Sequence, residues 1–462
     1  MKPTHSLSQP AISRRAALTS IAGLGAFSLP QVLQLQSAAG STKPRGKAKS
    51  CILIFCWGGM SHFESWDPKP DAPVEIRGLF SPMQTKTPGI FLSEHMLRLA
   101  DHTDKLAIIR SISHDDSAHG RGMYWNLTGH RPPRVGNIPP MASDWPSLPA
   151  MISKFRSAPP GVPTAVRLPY PMVDNDTLQA GEYGGWLGVN FDPVVMRPSG
   201  GEPFGGVSRS LGSEVLHLDN IDEMRVASRH QLLAELEPRG TRARQLENPS
   251  QSLDHFRNLA RDILLGSAVR QAYDLGQEDP RVREMYGNHL AGQSLLLARR
   301  LTEAGMPVVQ VCCAAGDLNG GAGDMWDTHS DNFNRLKNRL LPVFDRATSA
   351  LLQDLSSRGT LEETLVVVLT DFGRTPQING SAGRDHYPGV YSVALAGGGI
   401  RGGQVYGSSD AKGAFPKDKP CGPPDIHATI FQALGISPRA ILHDHLRRPF
   451  PVSDGEVLPL FS

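Results

Sequence analysis

The stretch "VVVLTDFGRTP" (366–376), followed shortly by "GRDHYPG" (383–389), decides the fold. Leu365 to Leu369 are consecutive apolar residues without polar alternation, the pattern of a strand covered on both faces, as in a parallel sheet. Asp371 falls just past that strand, Gly373 permits a sharp turn, and the loop up to His386 has enough glycine and proline to fold back. Ligands of open α/β sheets collect beyond the carboxyl ends of the strands. The stretch therefore poses a choice. Either Asp371 and His386 bind something together, or they decorate two ordinary loops.

Outward from it, "SCILIFCWGG" (50–59), "KLAIIRSI" (105–112), "PVVQVCC" (307–313) and "VYSVALAGGGI" (390–400) read as further strands. "NHLAGQSLLLARRLTEAG" (288–305) reads as a helix stopped by Gly305, and "DIHATIFQALG" (425–435) as a last helix with a glycine stop. Phe333, Leu336, Leu340, Phe344, Ala347, Leu351 and Leu355 recur at helical spacing, with Pro342 placed to kink or divide their helix. Residues 214–290 are polar and rich in helix formers. The alternation predicts an α/β fold with a central, mostly parallel sheet and helices on both faces. Eleven prolines between Arg131 and Pro171 predict a long loop or cap-like insertion outside that sheet. No internal repeat is present.

The 462 residues, 39% hydrophobic and 20% charged, are ample for one large α/β domain. Basic and acidic residues number 47 and 45, a balance that points to neither nucleic acid nor an anionic membrane. The first 39 residues differ: Lys2, Arg14 and Arg15, no acid, an apolar run from Ala16 to Leu29, then Ser37-Ala38-Ala39. This is the layout of an export signal, and "SRRAAL" (13–18) resembles a twin-arginine signal. A short membrane anchor is the alternative, but the run falls short of the roughly 20 apolar residues of a span. The expected organisation is a signal over 1–39, a basic linker over 40–50 and a domain over 51–462, located in the periplasm or cell envelope. No stable span is expected after cleavage. The five cysteines have no zinc-finger spacing and read as buried thiols.

Strand-end reasoning nominates four groups: His62, Glu64 and Asp67; His114, Asp115, Asp116 and His119; Asp317, Asp324, Asp327, His329 and Asp331; and Asp371, Arg374, Asp385 and His386. Mixed carboxylate and imidazole suits zinc or manganese ahead of calcium or magnesium. Each group also has a plainer reading. "WDTHSDN" (326–332) can be a helix start capped by Asp331, Asp371 a turn acid, and His386 a surface histidine.

"FDRATSALLQDLSSRGTLEETLVVVLTDFGRTP" (344–376) and "DIHATIFQALGI" (425–436) resemble the sulfatase and alkaline phosphatase superfamily. "GGMSHFESWDPKPDAP", "HDDSAHGRGMYWNLTGH", "WDTHSDNF", "DFGRTP" and "GRDHYPG", in that order, resemble more closely the domain of unknown function 1501, a family that often carries twin-arginine signals. The resemblance implies an alkaline phosphatase-like core. It implies metal ligands at Asp371, His386 and Asp327 with His329 or Asp331, and a looser match at Asp67 or His62. By its spacing to Thr128-Gly129, His119 stands in the place of the catalytic nucleophile. Phe372 stands where many relatives carry a second-metal ligand, and no cysteine fits a formylglycine motif.

The first functional expectation is an exported metal-dependent hydrolase of a phosphate or sulfate ester. The metal would lie at Asp67, Asp327, His329, Asp371 and His386, with His119 in catalysis and Arg121, Arg374 and Arg384 on the anionic group. The alternative is a catalytically degenerate binding or assembly protein that keeps the fold.

Overall fold

The computed structural model describes residues 46–136, 138–174, 177–196, 266–313 and 325–462, with residues 257 and 260. All of these belong to the unit Arg45–Ser462. The expected signal over 1–39 lies outside the described residues, as do Asp317 and Asp324.

The strands of the central sheet are β1 (Ser50–Cys56), β2 (Leu106–Ile112), β3 (Ala165–Leu168), β4 (Val194–Val195), β5 (Val308–Cys312), β6 (Thr364–Thr370), β7 (Tyr391–Ala396) and β8 (Gln404–Tyr406). Their order across the sheet is β8-β2-β7-β6-β1-β5-β3-β4. β1 lies at the centre, parallel to β6 (Cys51 opposite Leu365) and to β5 (Cys51 opposite Val308). β7 alone is reversed, pairing antiparallel with β6 and β2. The expected α/β fold with a mostly parallel sheet is the observed one.

Apolar runs without alternation become central strands because both faces are covered. Ile52 and Ile54 pack into one core with Leu295 and Leu297 of α3 (Leu290–Glu303) and Leu351 of α4 (Leu341–Ser357). Leu53 and Phe55 face the other core, with Met123 of α1 (His119–Thr128), Met151 of α2 (Leu148–Phe155) and Phe431 of α5 (Pro423–Ala433). Each such aliphatic or aromatic side chain contributes about 1.5–3 kcal/mol on burial. Pro342 does not divide the expected helix: the backbone stays helical from Asn332 to Ser357, with a π-helical turn over Leu336–Leu340 just before the proline, which sits in the first turn of α4.

The expectation for the Pro-rich stretch needs correction. Its end enters the sheet, where β3 pairs parallel with β5. Pro163 and Pro169 flank "AVRL" (165–168) instead of interrupting it, and Pro149 sits in the first turn of α2, where its missing N–H costs no helical bond. Among the described residues no helix is long and apolar enough to cross a membrane.

Candidate metal centre

The loops after β1, β5 and β6 and the start of α1 meet at the carboxyl edge of the sheet. β6 delivers Asp371, which is fully buried. Gly58 and Gly59, with φ of 111° and 83°, wrap their amides around its Oδ1, at 3.1 and 2.5 Å. A Cβ at Gly58 would come within 2.6 Å of the Asp327 amide, so this approach requires glycine. The other oxygen, Oδ2, lies 2.5 Å from His119 Nδ1. The Asp371 carbonyl is held as well, by His114 Nε2 at 2.7 Å and the Asn126 amide at 3.0 Å.

Both Asp371 oxygens thereby accept from protein donors, and Asp371 lies outside the close group of ligand atoms to which His386 belongs. His119 stands between them. With Nδ1 turned to Asp371, His119 presents Nε2 toward Asp327 Oδ2, 3.3 Å away. That nitrogen is buried and makes no well-formed hydrogen bond, an uncommon state for an interior polar atom. His386 is arranged the same way: Nδ1 lies 2.7 Å from the Ser117 carbonyl, and Nε2 lies 3.2 Å from Asp327 Oδ1. His329 repeats the pattern, with Nδ1 2.7 Å from Asp385 Oδ1 and Nε2 3.2 Å from Asp327 Oδ1.

A carbonyl or carboxylate can only accept, so each Nδ1 carries a proton; with an ion bound each ring is neutral and offers a lone pair at Nε2, and without one a proton can stand there, shared with Asp327. Three lone pairs and a carboxylate then converge, with the Nε2 atoms of His329 and His386 only 2.8 Å apart. Such crowding is repulsive unless a proton or a cation lies among the donors. His119, Asp327 and His386 offer ligand atoms all within 4.8 Å of one another, the one such group among the described residues. The mixed nitrogen and oxygen set, with every imidazole backed by an acceptor, fits a zinc or manganese ion.

Without an ion, the two carboxylates draw a second proton onto His119. Burial alone would lower the His119 pKa, but Asp371 and Asp327 outweigh it and raise it to about 9. Burial opposes ionisation of Asp327, yet its contacts with His119 and His386 and the charge of Arg374 hold it below the ordinary carboxylate range. Burial lowers His386, with the charge on His119 adding to the effect. Phe372 is fully buried, its ring centroid 5.0 Å from that of His119 and 4.7 Å from that of His386. Trp57 lies 5.4 Å from His119 on the β1 side.

Several expected residues take other places. Arg374 is fully buried, donating to Asp327 Oδ1 at 2.7 Å, to Gly59 O at 2.9 Å and to Arg384 O at 3.1 Å. Arg384 grips Glu64 at 2.7 Å and the carbonyls of Ile76 at 2.7 Å and Pro376 at 2.6 Å. Arg121 pairs with Asp116 at 2.5 Å and with the Arg134 carbonyl. Internal acceptors occupy all three guanidinium groups, so the expected arginine clamp on an anion is not formed. Asp67 is buried away from the centre, accepting from Ser409 at 2.5 Å and Lys69 at 3.0 Å. Asp331 precedes the short helix Asn332–Arg335 in the left-handed conformation, φ 50°, without a capping hydrogen bond from its side chain; its Oδ1 accepts from the Asn334 side-chain amide at 2.6 Å. His119 moves from the nucleophile's position into the donor set.

Sequence reasoning missed the Gly58-Gly59 amides, Trp57, the Ser117 carbonyl and the pairing of Asp385 with His329. "CWGG" (56–59), an apolar strand stopped by two glycines, was the available signal for the first of these.

A family model described as "Protein of unknown function (DUF1501)" matches residues 48–460. No curated protein matches the chain in sequence. Among solved structures, the chain is similar to Ps i-CgsB at 9% identity and a TM-score of 0.39, covering 84% of this chain and 72% of that one. It is similar to the alkaline phosphatase from the Antarctic bacterium TAB5 at 11% identity and a TM-score of 0.37, covering 85% and 99%. For the PsFucS1 sulfatase from Pseudoalteromonas sp. the values are 14%, 0.34, 88% and 70%. Likenesses this distant assign no substrate, metal or mechanism.

Proposed function

The chain belongs to the DUF1501 family, and from that premise we propose that it is an exported metal-dependent hydrolase of a phosphate or sulfate ester. The observation that carries the reading is the convergence of His119, His386 and His329 Nε2 on Asp327, each ring backed at Nδ1 by an acceptor. A divalent ion bound there supplies a Lewis acid for an ester oxygen and lowers the pKa of bound water.

The chain's own residues do the rest. Asp371 fixes the His119 tautomer, Ser117 O fixes His386, and Phe372 and Trp57 keep water from the inner side of the donors. An anion, in place of the expected arginines, meets the start of α1. There the N-cap Ala118 makes no side-chain cap, and no acid occupies the first turn. Helix N-terminal amides favour a phosphate or sulfate.

The test is metal content by mass spectrometry together with turnover of p-nitrophenyl phosphate and sulfate. Wild type should hold zinc or manganese and turn over one ester class. Asp327→Asn and His386→Ala should lose both properties. A wild type without a bound ion, or with unchanged turnover in both variants, sinks the reading.

A second reading, a binding protein without turnover, is favoured by one observation. Among the described residues no serine or threonine hydroxyl is hydrogen-bonded to His119, Asp327 or His386, and all five cysteines are buried. Stoichiometric metal with no turnover of either ester class would select it.

A further inference from the structure

We infer that the centre takes a single divalent ion and that Arg374 is the positioning residue that excludes a second. This rests on the metal reading above.

A second ion needs free donors, and among the described residues the two carboxylates that face His119 already accept from protein groups. Asp371 uses Oδ1 on the Gly58 and Gly59 amides and Oδ2 on His119. Asp327 Oδ1, which faces the Nε2 atoms of His329 and His386, also accepts from the Arg374 guanidinium at 2.7 Å, so it has no lone pair left for an ion beyond the one those imidazoles hold, while Oδ2 faces His119. The space beside the imidazoles is filled by the buried ring of Phe372, and the Arg374 guanidinium carbon lies 5.9 Å from its centroid.

Charge points the same way. Asp327 and Asp371 against Arg374 leave one net negative charge, with Asp371 and Arg374 fully buried and Asp327 partly exposed. One divalent ion turns this into one net positive charge, which suits an anionic ligand. A second ion would leave three, in a setting where unpaired charge is expensive. Arg374 is anchored well enough to act as a fixed cation, since Gly59 O and Arg384 O accept from it at 2.9 and 3.1 Å. It cannot swing aside for a metal.

The experiment loads purified full-length protein with excess zinc, removes loose ions by gel filtration, and measures zinc per chain by mass spectrometry. Anomalous scattering at the zinc edge then locates the ion. Wild type should hold one equivalent and show one peak beside Asp327; two equivalents or two adjacent peaks overturn the inference. Arg374→Lys keeps the charge and should stay at one equivalent. Arg374→Met frees Asp327 Oδ1 and should rise above one. A folded Arg374→Met protein that stays at one equivalent overturns the role given to Arg374. If that variant does not fold, wild-type stoichiometry and Arg374→Lys decide. Zero zinc in wild type is a distinct result: it removes the metal reading itself.

Discussion

Asp371 Oδ2 lies 2.5 Å from His119 Nδ1, although the two residues are 252 positions apart. The contact joins the end of β6 to the start of α1, and it sets which nitrogen of His119 faces the donors. Asp371→Asn lets the ring carry its proton on either nitrogen. Zinc affinity should fall by about 10–100-fold, the usual cost of losing such a partner, in a chelator competition titration. Unchanged affinity would show that the ring is held by packing alone.

The metal-free protein should respond to pH in a definite direction. His119 is raised from its ordinary 6.5 to about 9, so its ionic contribution to stability is complete below pH 6.5 and is lost as pH rises through about 9. Thermal melts of chelated protein should show a fall in Tm over that window. Zinc must displace the His119 proton, so its apparent affinity should rise roughly tenfold per pH unit below 9 and then level off. A flat affinity between pH 6 and 8 would contradict that assignment.

Gly58→Ala should damage fold and site together. The position has φ 111°, and an added Cβ would meet Asp327 N at 2.6 Å and Trp326 N at 2.9 Å, backbone atoms that cannot rotate away. A loss of about 1–3 kcal/mol from the strained backbone alone is expected in urea denaturation. Weaker zinc binding should accompany it, because the Gly58 amide also holds Asp371. Full stability in the variant would mean that the turn after β1 is looser than described.

Arg384 and Glu64 form a buried pair, at 0% and 1% side-chain exposure. Arg384→Met should cost about 3–5 kcal/mol, because it leaves the Glu64 charge unpaired. The double change Glu64→Leu with Arg384→Met should recover part of that loss. If Arg384→Met instead left denaturation unchanged and altered only KM for an ester, the residue would belong to the substrate site after all.

The export reading is tested apart from the fold. Changing Arg14 and Arg15 to Lys should strand the protein inside the cell, as followed by fractionation and immunoblot. Undiminished export of that variant would remove the twin-arginine assignment.

The central strands were legible because continuous apolar runs such as Leu365–Leu369 have one comfortable place, a doubly covered sheet. The strand-end rule found His119, Asp327, His329, Asp371 and His386 for the same reason. It could not tell apart two acids that the fold surrounds differently. Asp371 and Asp327 both look like strand-end acids, and only the wrap of the Gly58 and Gly59 amides, from a segment more than 300 positions away, separates their roles. The arginines misled for a related reason. A buried guanidinium and a substrate clamp have the same sequence signature, and Glu64, which binds Arg384, is 320 positions from it.

The seat of β1 has a consequence for synthesis. Its end is tied to the end of β6, where the Thr370 hydroxyl donates to the Cys56 carbonyl across 314 positions. The first described strand to be translated is thus an inner strand of the finished sheet, and its two partners, β5 and β6, follow only after β2, β3 and β4. At elongation speeds of about 5–20 residues per second, "SCILIFC" (50–56) waits about 15–60 s for β6. Throughout that interval an uncharged, strongly apolar segment with unpaired edges is available for mispairing with other nascent chains. Ribosome-proximal chaperones are therefore expected to hold this segment, and yield in cells lacking them should fall more steeply than the stability of the purified protein would suggest.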